Sequence, residues 1–260
     1  MRSPFIRPRR VADPALRLVV FHHAGGSAST YHPLARALPA DWDVLLFDLP
    51  GHGQRYAEPP LRDISALVDA TVRDLAPHVA PGHPPYALFG HSMGAVMAAE
   101  VGRRMAEGHR RPPAWVGVSG RPAPPAARPE TRWSELSDTQ LSAVLLGLGG
   151  TPARSREEPE LHRRFLRLVR VDLAALDAYT PAPDRIRLPC PLSAFGGLAD
   201  PSAPPASLPG WEQETSGRYR QCFLPGGHFY FLDAFAALAW EIRCEVRPLL
   251  GPAPAAAVPG

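Results

Sequence analysis

Ser92 lies in a short stretch that could present a nucleophile, Gly90-His91-Ser92-Met93-Gly94. Apolar residues typical of a buried strand precede this stretch, and a helical pattern follows it. Glycine has no side chain, so glycines two residues before and two residues after the serine allow a strand and a helix to approach closely. A serine on such a sharp strand-to-helix turn exposes its hydroxyl at the edge of the sheet. The spacing therefore predicts a nucleophilic serine at position 92.

A serine hydroxyl is a weak nucleophile at neutral pH, so it needs a histidine base and a carboxylate that orients the base. In hydrolases with a serine on this kind of turn, the chain order is Ser, then Asp or Glu, then His. His109 falls at the far end of the helix that follows the serine, and His162 lies inside a later helical pattern. His228 follows a strand-like run and two glycines in LPGGHFYFLD. We therefore predict that His228 is the base.

The orienting carboxylate should lie between Ser92 and His228 in the chain, just beyond the end of a strand. Asp200 meets both conditions because it closely follows the strand-like run PLSAFGG. Asp184 precedes that run and would emerge at the opposite end of the sheet. The other acidic candidates lie within helical patterns, and they are Asp172, Asp177, Glu212 and Glu214. Asp200 is therefore the predicted acid of a triad with Ser92 and His228.

The tetrahedral intermediate of acyl transfer also needs two backbone N–H donors. Met93 should supply one, because it follows the nucleophile at the start of a helix. The second should come from the loop HHAGGSAST, where Gly25 and Gly26 let the backbone approach a substrate, and we assign it to Ala24.

Three histidines near these positions need another interpretation. His22 and His23 could be a metal pair, but adjacent side chains point apart and no carboxylate completes a ligand set. We therefore predict no metal and no cofactor. His91 cannot easily turn its ring onto the hydroxyl of its neighbour Ser92, so we interpret it as a packing residue.

Strand-like and helix-like runs alternate along the chain, which predicts an α/β fold with a mostly parallel sheet and helices on both faces. The strand-like runs are short, apolar and bounded by Gly, Pro or Asp: 16–22, 43–49, 86–90, 115–120, 191–197 and 219–225. We expect residues 16–120 and 190–250 to form the two parts of one core. Residues 1–15 and 251–260 are expected to be disordered.

Residues 121–189 interrupt the alternation and are called the lid segment below. A proline-rich stretch opens it, and Ser137 and Gln140 then have the spacing of a helix capping box. A second helical pattern includes Leu161, Phe165 and Leu173 and ends before Pro181. Such an insertion could be a helical lid over the edge of the sheet that binds ligands, or a structural excursion, and the spacing favours neither.

Composition excludes several classes of protein. The chain has 260 residues, 45% hydrophobic and 20% charged, with a net charge of +3, as in an ordinary globular protein. All its basic residues are arginine, and no basic run is interleaved with aromatics, so we expect no nucleic-acid binding. Three distant cysteines indicate a reducing compartment. Without a secretory signal or an apolar run of membrane-spanning length, we expect a cytoplasmic protein that does not contact membranes.

Several of these stretches together resemble the type II (editing) thioesterases that accompany polyketide synthases and non-ribosomal peptide synthetases, within the α/β-hydrolase superfamily. The resemblance covers about residues 16–247 and depends on HAGGSAS, GHSMGA, LSDTQL with GGTP, AFGGLADP and LPGGHFYF. It implies an α/β-hydrolase fold with Ser92, Asp200 and His228 as the triad, and Ala24 and Met93 as oxyanion donors. The chain departs from the family at His22, where proline is usual, and in DLPGHGQR, where an arginine-bearing version is common.

The resemblance also implies a function. It implies a discrete enzyme that removes acyl groups from the phosphopantetheine arm of acyl or peptidyl carrier domains, clearing stalled or misprimed chains. The start at Met1 and the lack of a linker favour a stand-alone chain, which we expect to be a monomer, over an excised releasing domain. If the lid segment is a lid, residues that would line the acyl channel are Leu141, Leu145 and Phe165. Arginines that would meet an acidic carrier are Arg121, Arg128 and Arg132.

Two other functions stay open at this point. A carboxylesterase acting on small oxygen esters would use the same triad, although the lid segment and the AGGS loop disfavour it. A hydrolase-fold binding protein without catalysis would not need all three triad residues, so the complete Ser-Asp-His order argues against that class.

Overall fold

The computed structural model describes residues 3–107, 111–124 and 132–251. Its centre is a seven-stranded sheet in the order β1-β3-β2-β4-β5-β6-β7. The strands are β1 (Phe5–Ile6), β2 (Leu16–Phe21), β3 (Trp42–Phe47), β4 (Tyr86–His91), β5 (Trp115–Ser119), β6 (Leu192–Gly197) and β7 (Tyr219–Leu224). All neighbouring pairs from β2 to β7 are parallel, and only β1 runs antiparallel, beside β3. The predicted mostly parallel α/β fold is therefore confirmed.

Helices cover both faces of this sheet. They are α1 (His32–Ala37), α2 (Ile64–Val79), α3 (Met93–Glu107), α4 (Asp138–Leu148), α5 (Ala153–Glu157), α6 (Pro159–Ala178) and α7 (Phe235–Val246). α2 and α3 pack on one face together with α4 and α6, whereas α1 and α7 pack on the other. Within the described ranges, no helix combines the length and the apolar character that a membrane crossing requires.

The register of the parallel strands brings their carboxyl ends to one edge of the sheet. Phe21 at the end of β2 pairs with Gly90 on β4, and His91 at the end of β4 pairs with Ser119 at the end of β5. Every residue of β2 to β6 is buried, which explains their near-continuous apolar sequences. The loops that leave β2, β4, β6 and β7 therefore meet at one place, which is where the candidate site lies.

The N-terminal prediction of disorder over residues 1–15 is wrong for the part that forms β1. Phe5 and Ile6 pair with Phe47 and Leu46 of β3, and Phe5 is buried with its ring edge-on to Phe47 at 5.2 Å. Arg7 extends the attachment, because its Nε donates to Asp43 Oδ1 over 2.6 Å. Two apolar residues give too short a pattern to identify a strand from the sequence. The prediction of disorder at the C-terminus covers residues 251–260, and of these 252–260 lie outside the described ranges.

The described part of the lid segment contains α4, α5 and α6, one helix more than its two helical patterns predict. The capping box is confirmed, since Ser137 Oγ accepts the Gln140 N–H while the Gln140 side chain accepts the Ser137 N–H. Gly149 ends α4 in a left-handed conformation with φ 82°, where glycine is favoured. The buried face of α6 includes Val169 and Leu173, whereas Leu161 is exposed.

Candidate active site

Ser92 occupies a strained turn between β4 and α3. Its φ is 56°, and no other non-glycine residue of the described ranges has a positive φ. The Ser92 N–H donates to the Ser119 carbonyl over 2.7 Å, which fixes the turn to β5. A Cβ on Gly90 would overlap the carbonyl of Gly94, and a Cβ on Gly94 would overlap the carbonyl of Phe21. Both glycines are therefore needed for the close approach of strand and helix, as the spacing predicts.

Asp200 and His228 come together at the same edge of the sheet, in the loops that follow β6 and β7. His228 Nδ1 lies 2.8 Å from Asp200 Oδ2, and both side chains are buried. The other carboxylate oxygen, Asp200 Oδ1, accepts the N–H groups of Ser202 at 2.8 Å and Ala203 at 3.2 Å. An ionised carboxylate only accepts, so Nδ1 carries the proton and Nε2 keeps the lone pair of a base.

His91 connects the serine turn to the predicted base. Its ring centroid lies 4.8 Å from that of His228, which places the base beside the neighbour of Ser92. His91 Nδ1 lies 2.9 Å from the Ser119 hydroxyl, and that hydroxyl lies 2.7 Å from the hydroxyl of Tyr230. Burial lowers the pKa of His91 well below its ordinary value, so the ring stays neutral. His91 therefore packs and orients groups around the site.

The two predicted oxyanion donors lie on elements that border this turn. Met93 is the first residue of α3, whose N-terminal N–H groups are not used within the helix. Ala24 belongs to the loop 22–26 after β2, called the oxyanion loop below, in which Gly25 has φ 69°. The ring of His23 in this loop packs edge-on against Phe229, next to the base, with centroids 4.8 Å apart. The roles of Met93 and Ala24 as donors stay predictions.

Two buried residues near the oxyanion loop were not recognised from the sequence. Asp172 on α6 accepts the Gly25 N–H through Oδ2 over 2.7 Å, and the same oxygen lies 2.9 Å from His52 Nε2. From the sequence, Asp172 is only a rejected candidate for the triad acid, and His52 has no predicted role. A signal was present, because Asp172 lies between Val169 and Leu173 on the buried face of α6. A carboxylate among apolar residues at that spacing indicates a buried partner.

The residues proposed for an acyl channel are only partly open to a ligand in this structure. Leu141 and Leu145 on α4 are buried within the core cluster that also contains Val169. Phe165 on α6 is half-buried and lies close to Gly25 of the oxyanion loop. Their role in binding an acyl chain stays a prediction.

The rejected acids have other positions or partners. Asp184 and Glu212 are exposed. Glu214 is buried and pairs with Arg103 and with Arg185, which makes it a structural residue. Asp177 on α6 accepts the hydroxyl of Ser134 over 2.6 Å. Among the residues that the structure describes, no three His, Cys, Asp or Glu side chains are grouped so that they could hold a metal ion.

Two of the three arginines considered for carrier docking lie within the described residues, and their surroundings differ. Arg121 is half-buried beside Asp177 and Tyr179. Arg132 is exposed and pairs with Glu135 over 3.2 Å. Arg128 lies outside the described residues.

A serine on a strained strand-to-helix turn, an aspartate–histidine pair after later strands and a mostly parallel sheet together define an α/β hydrolase. Comparison with known proteins identifies the family within this class. The family described as "Thioesterase domain" matches residues 16–244. The chain therefore belongs to the thioesterase family.

Named relatives agree with this assignment. "Probable cadicidin biosynthesis thioesterase" of Streptomyces griseus is 36% identical over 234 residues, which are 90% of this chain and 63% of that protein, so the chain spans less than two thirds of its length. The type II thioesterase BorB from the borrelidin biosynthetic cluster is 36% identical, with a TM-score of 0.84 over 96% of this chain and 98% of that one. The RedJ thioesterase from the prodiginine pathway of Streptomyces coelicolor is 35% identical, with a TM-score of 0.80 over 88% and 91%.

Proposed function

We propose that this protein is a type II thioesterase that hydrolyses acyl groups from the phosphopantetheine arm of carrier proteins in polyketide or non-ribosomal peptide synthesis. The observation that supports this most directly is the site itself, a serine on a strained turn beside a buried aspartate–histidine pair, in a chain of the thioesterase family. The similarity to BorB over nearly the whole of both chains supports the type II assignment. On this proposal the enzyme edits by clearing stalled or misprimed acyl groups.

The proposed reaction follows the acyl-enzyme route. Ser92 attacks the thioester carbonyl while His228 Nε2 takes the hydroxyl proton, and Asp200 stabilises the imidazolium that forms. The N–H groups of Ala24 and Met93 would hold the developing oxyanion. The tetrahedral intermediate collapses, the C–S bond breaks and the phosphopantetheine thiol leaves. Water then attacks the acyl-serine with His228 as base, which releases the carboxylic acid and restores the serine.

Other properties belong to the same proposal. The enzyme would need no metal or cofactor of its own, because the phosphopantetheine belongs to the carrier. It would work as a cytoplasmic monomer that meets carrier domains in solution and does not bind nucleic acid or membranes. Phe165 beside the oxyanion loop, together with Leu141 and Leu145, would select among acyl groups.

The test compares three substrates that carry the same acyl group: an acyl-carrier protein, a short acyl thioester of N-acetylcysteamine, and a p-nitrophenyl oxygen ester. We expect the highest kcat/KM on the carrier protein, because the partner adds binding energy that the small substrates lack. Intact mass spectrometry of the carrier should show loss of the acyl group with the phosphopantetheine arm retained. Ser92→Ala should abolish the reaction, and Ser216→Ala, at an exposed serine, is the matched control.

The outcomes separate the competing functions. Preference for the oxygen ester over both thioesters would make the protein a carboxylesterase. A folded protein that hydrolyses none of the three substrates and is not labelled by a fluorophosphonate probe would be a binding protein without catalysis. If Ser92→Ala still hydrolyses the carrier thioester, Ser92 is not the nucleophile.

A further inference from the structure

The lid segment is attached to the oxyanion loop by a carboxylate. Asp172 is 1% exposed, and its Oδ2 accepts the Gly25 N–H over 2.7 Å. A Cβ on Gly25 would overlap Val169, so α6 lies directly on this loop with no space between them. Gly25 follows Ala24, the predicted oxyanion donor. The position of α6 therefore constrains the peptide next to that donor.

His52 holds the same carboxylate from the core. Its Nε2 lies 2.9 Å from Asp172 Oδ2, and its Nδ1 lies 3.0 Å from the carbonyl of Pro50. A carbonyl and an ionised carboxylate both accept hydrogen bonds only, so each ring nitrogen of His52 must carry a proton. The geometry therefore requires a buried imidazolium paired with a buried carboxylate, in the loop that follows β3.

The surroundings of His52 agree with a charged ring. Burial opposes the charge, but the hydrogen bond and the charge of Asp172 outweigh it and raise the pKa of His52 above its ordinary value. Asp48, after β3, adds a further negative charge nearby. His22 of the oxyanion loop packs against the ring at 4.7 Å but is neutral, because burial lowers its pKa to about 3. His23, the other titratable group of that loop near His52, is likewise neutral with its pKa lowered by burial to about 3.

We propose that Asp172 and His52 are positioning residues, a buried ion pair that holds the oxyanion loop in its catalytic geometry only while α6 is docked and His52 is protonated. The pair touches neither the serine nor the substrate in this role, and it acts through Gly25 on the adjacent Ala24 N–H. Movement of the lid segment away from the sheet would withdraw the carboxylate from the Gly25 N–H. Acyl-group entry under the lid segment is thereby linked to assembly of the oxyanion site.

This proposal rests on the proposed function for its substrate, and it adds an alkaline limb to the pH profile. Loss of a proton from His52 removes the positive charge that pairs with Asp172, and it leaves one ring nitrogen with a lone pair that faces an acceptor, either the Asp172 carboxylate or the Pro50 carbonyl. The rate should therefore fall at alkaline pH.

The experiment measures kcat and KM for an N-acetylcysteamine thioester from pH 5.5 to 9.5. It compares wild type with His52→Gln and Asp172→Asn. The amide introduced by His52→Gln is neutral at every pH, and its nitrogen can still donate to Asp172, so the alkaline limb should disappear. We expect kcat to fall about 10- to 100-fold at the wild-type optimum, since a displaced oxyanion donor loses stabilisation mainly in the transition state, while KM changes less than 3-fold. In Asp172→Asn the imidazolium loses its counter-charge, so the alkaline limb should move down by about one pH unit or more.

Asp177→Asn is the matched control, because Asp177 lies on the same helix but its carboxylate accepts from Ser134 instead of the oxyanion loop. Its pH profile should match that of wild type. A parallel measurement is the rate of labelling by a small fluorophosphonate, whose P=O group also takes the oxyanion position. Labelling does not require thioesterase activity, so the labelling rate tests the inference even if the proposed function is wrong.

Three results would overturn the inference. The first is wild-type profiles, for turnover and for labelling, with no alkaline limb below pH 9.5. The second is an alkaline limb that lies at the same pH in His52→Gln and in Asp172→Asn as in wild type. The third is a set of nitrogen-15 spectra of wild type that show His52 as a neutral ring at pH 7. This measurement needs no variant, so it tests the inference even if the variants fail to fold. A ring that remains an imidazolium at pH 7 and titrates together with the alkaline limb supports the inference.

Discussion

Asp200→Asn should lower kcat/KM by about 10⁴-fold, the cost of the wrong histidine tautomer in comparable triads. The structure indicates which way the new amide would face. Asp200 Oδ1 accepts two backbone N–H groups, from Ser202 and Ala203, so the oxygen of the introduced amide would stay on those donors. Its NH₂ group would then face His228 Nδ1, which must become the acceptor. His228 Nε2 would carry the proton and could not take one from Ser92.

The loss corresponds to about 5.5 kcal/mol of transition-state stabilisation. The assay is hydrolysis of an N-acetylcysteamine thioester followed with a thiol reagent, with thermal unfolding as the measure of structural integrity. Asp184→Asn is the matched control at an exposed aspartate, and it should retain wild-type activity. A folded Asp200→Asn enzyme within 10-fold of wild type would show that Asp200 is not the triad acid, and so would an equal loss in Asp184→Asn.

Three further predictions concern the nucleophile and the stability of the fold. Ser92→Ala should lower kcat by about 10⁶-fold and abolish fluorophosphonate labelling without changing the melting temperature, and residual labelling would identify another nucleophile. Glu214→Ala should lower the free energy of unfolding by about 3 kcal/mol, because it removes a carboxylate that pairs with buried Arg103. Glu212→Ala, at an exposed position, should change the free energy of unfolding by less than about 0.5 kcal/mol, and equal effects of the two substitutions in urea unfolding would contradict the prediction. Burial lowers the pKa of His22 to about 3, so this ring stays neutral in the folded protein at pH values where the unfolded chain, with its ordinary pKa of about 6.5, binds a proton. The free energy of unfolding should therefore fall as the pH falls below about 6.5. His22→Gln should reduce that slope by up to about 1.4 kcal/mol per pH unit between pH 6 and 4, and an unchanged slope would show that this ring is protonated in the fold.

The parts of the fold that sequence reasoning predicts correctly are those with strong local patterns. β2 and β4 are near-continuous apolar runs because they are buried on both faces, and the capping box of Ser137 and Gln140 opens α4 where the spacing places it. The loops after β4, β6 and β7 follow from strand order alone. Chain order and strand ends therefore sufficed to select Ser92, Asp200 and His228 as candidates.

The features that were missed depend on contacts between distant residues. β1 consists of two residues whose partner is β3, some forty positions later, so no periodicity reveals it. The pair of His52 and Asp172 joins residues 120 positions apart, and neither residue has a local pattern that names the other. A buried carboxylate on the apolar face of α6 indicates that a partner exists, but only the packing of α6 on the oxyanion loop identifies it.

On the proposed function, acyl groups pass from a carrier protein to Ser92 before water releases them. The direct measurement is rapid quenching of the enzyme with an acyl-carrier protein that bears an isotope-labelled acyl group, followed by peptide mass spectrometry. We expect the acyl mass on the peptide that contains Ser92, appearing before the free acid and missing in Ser92→Ala. An acyl group found on another residue, or release of the acid at the wild-type rate by Ser92→Ala, would contradict it.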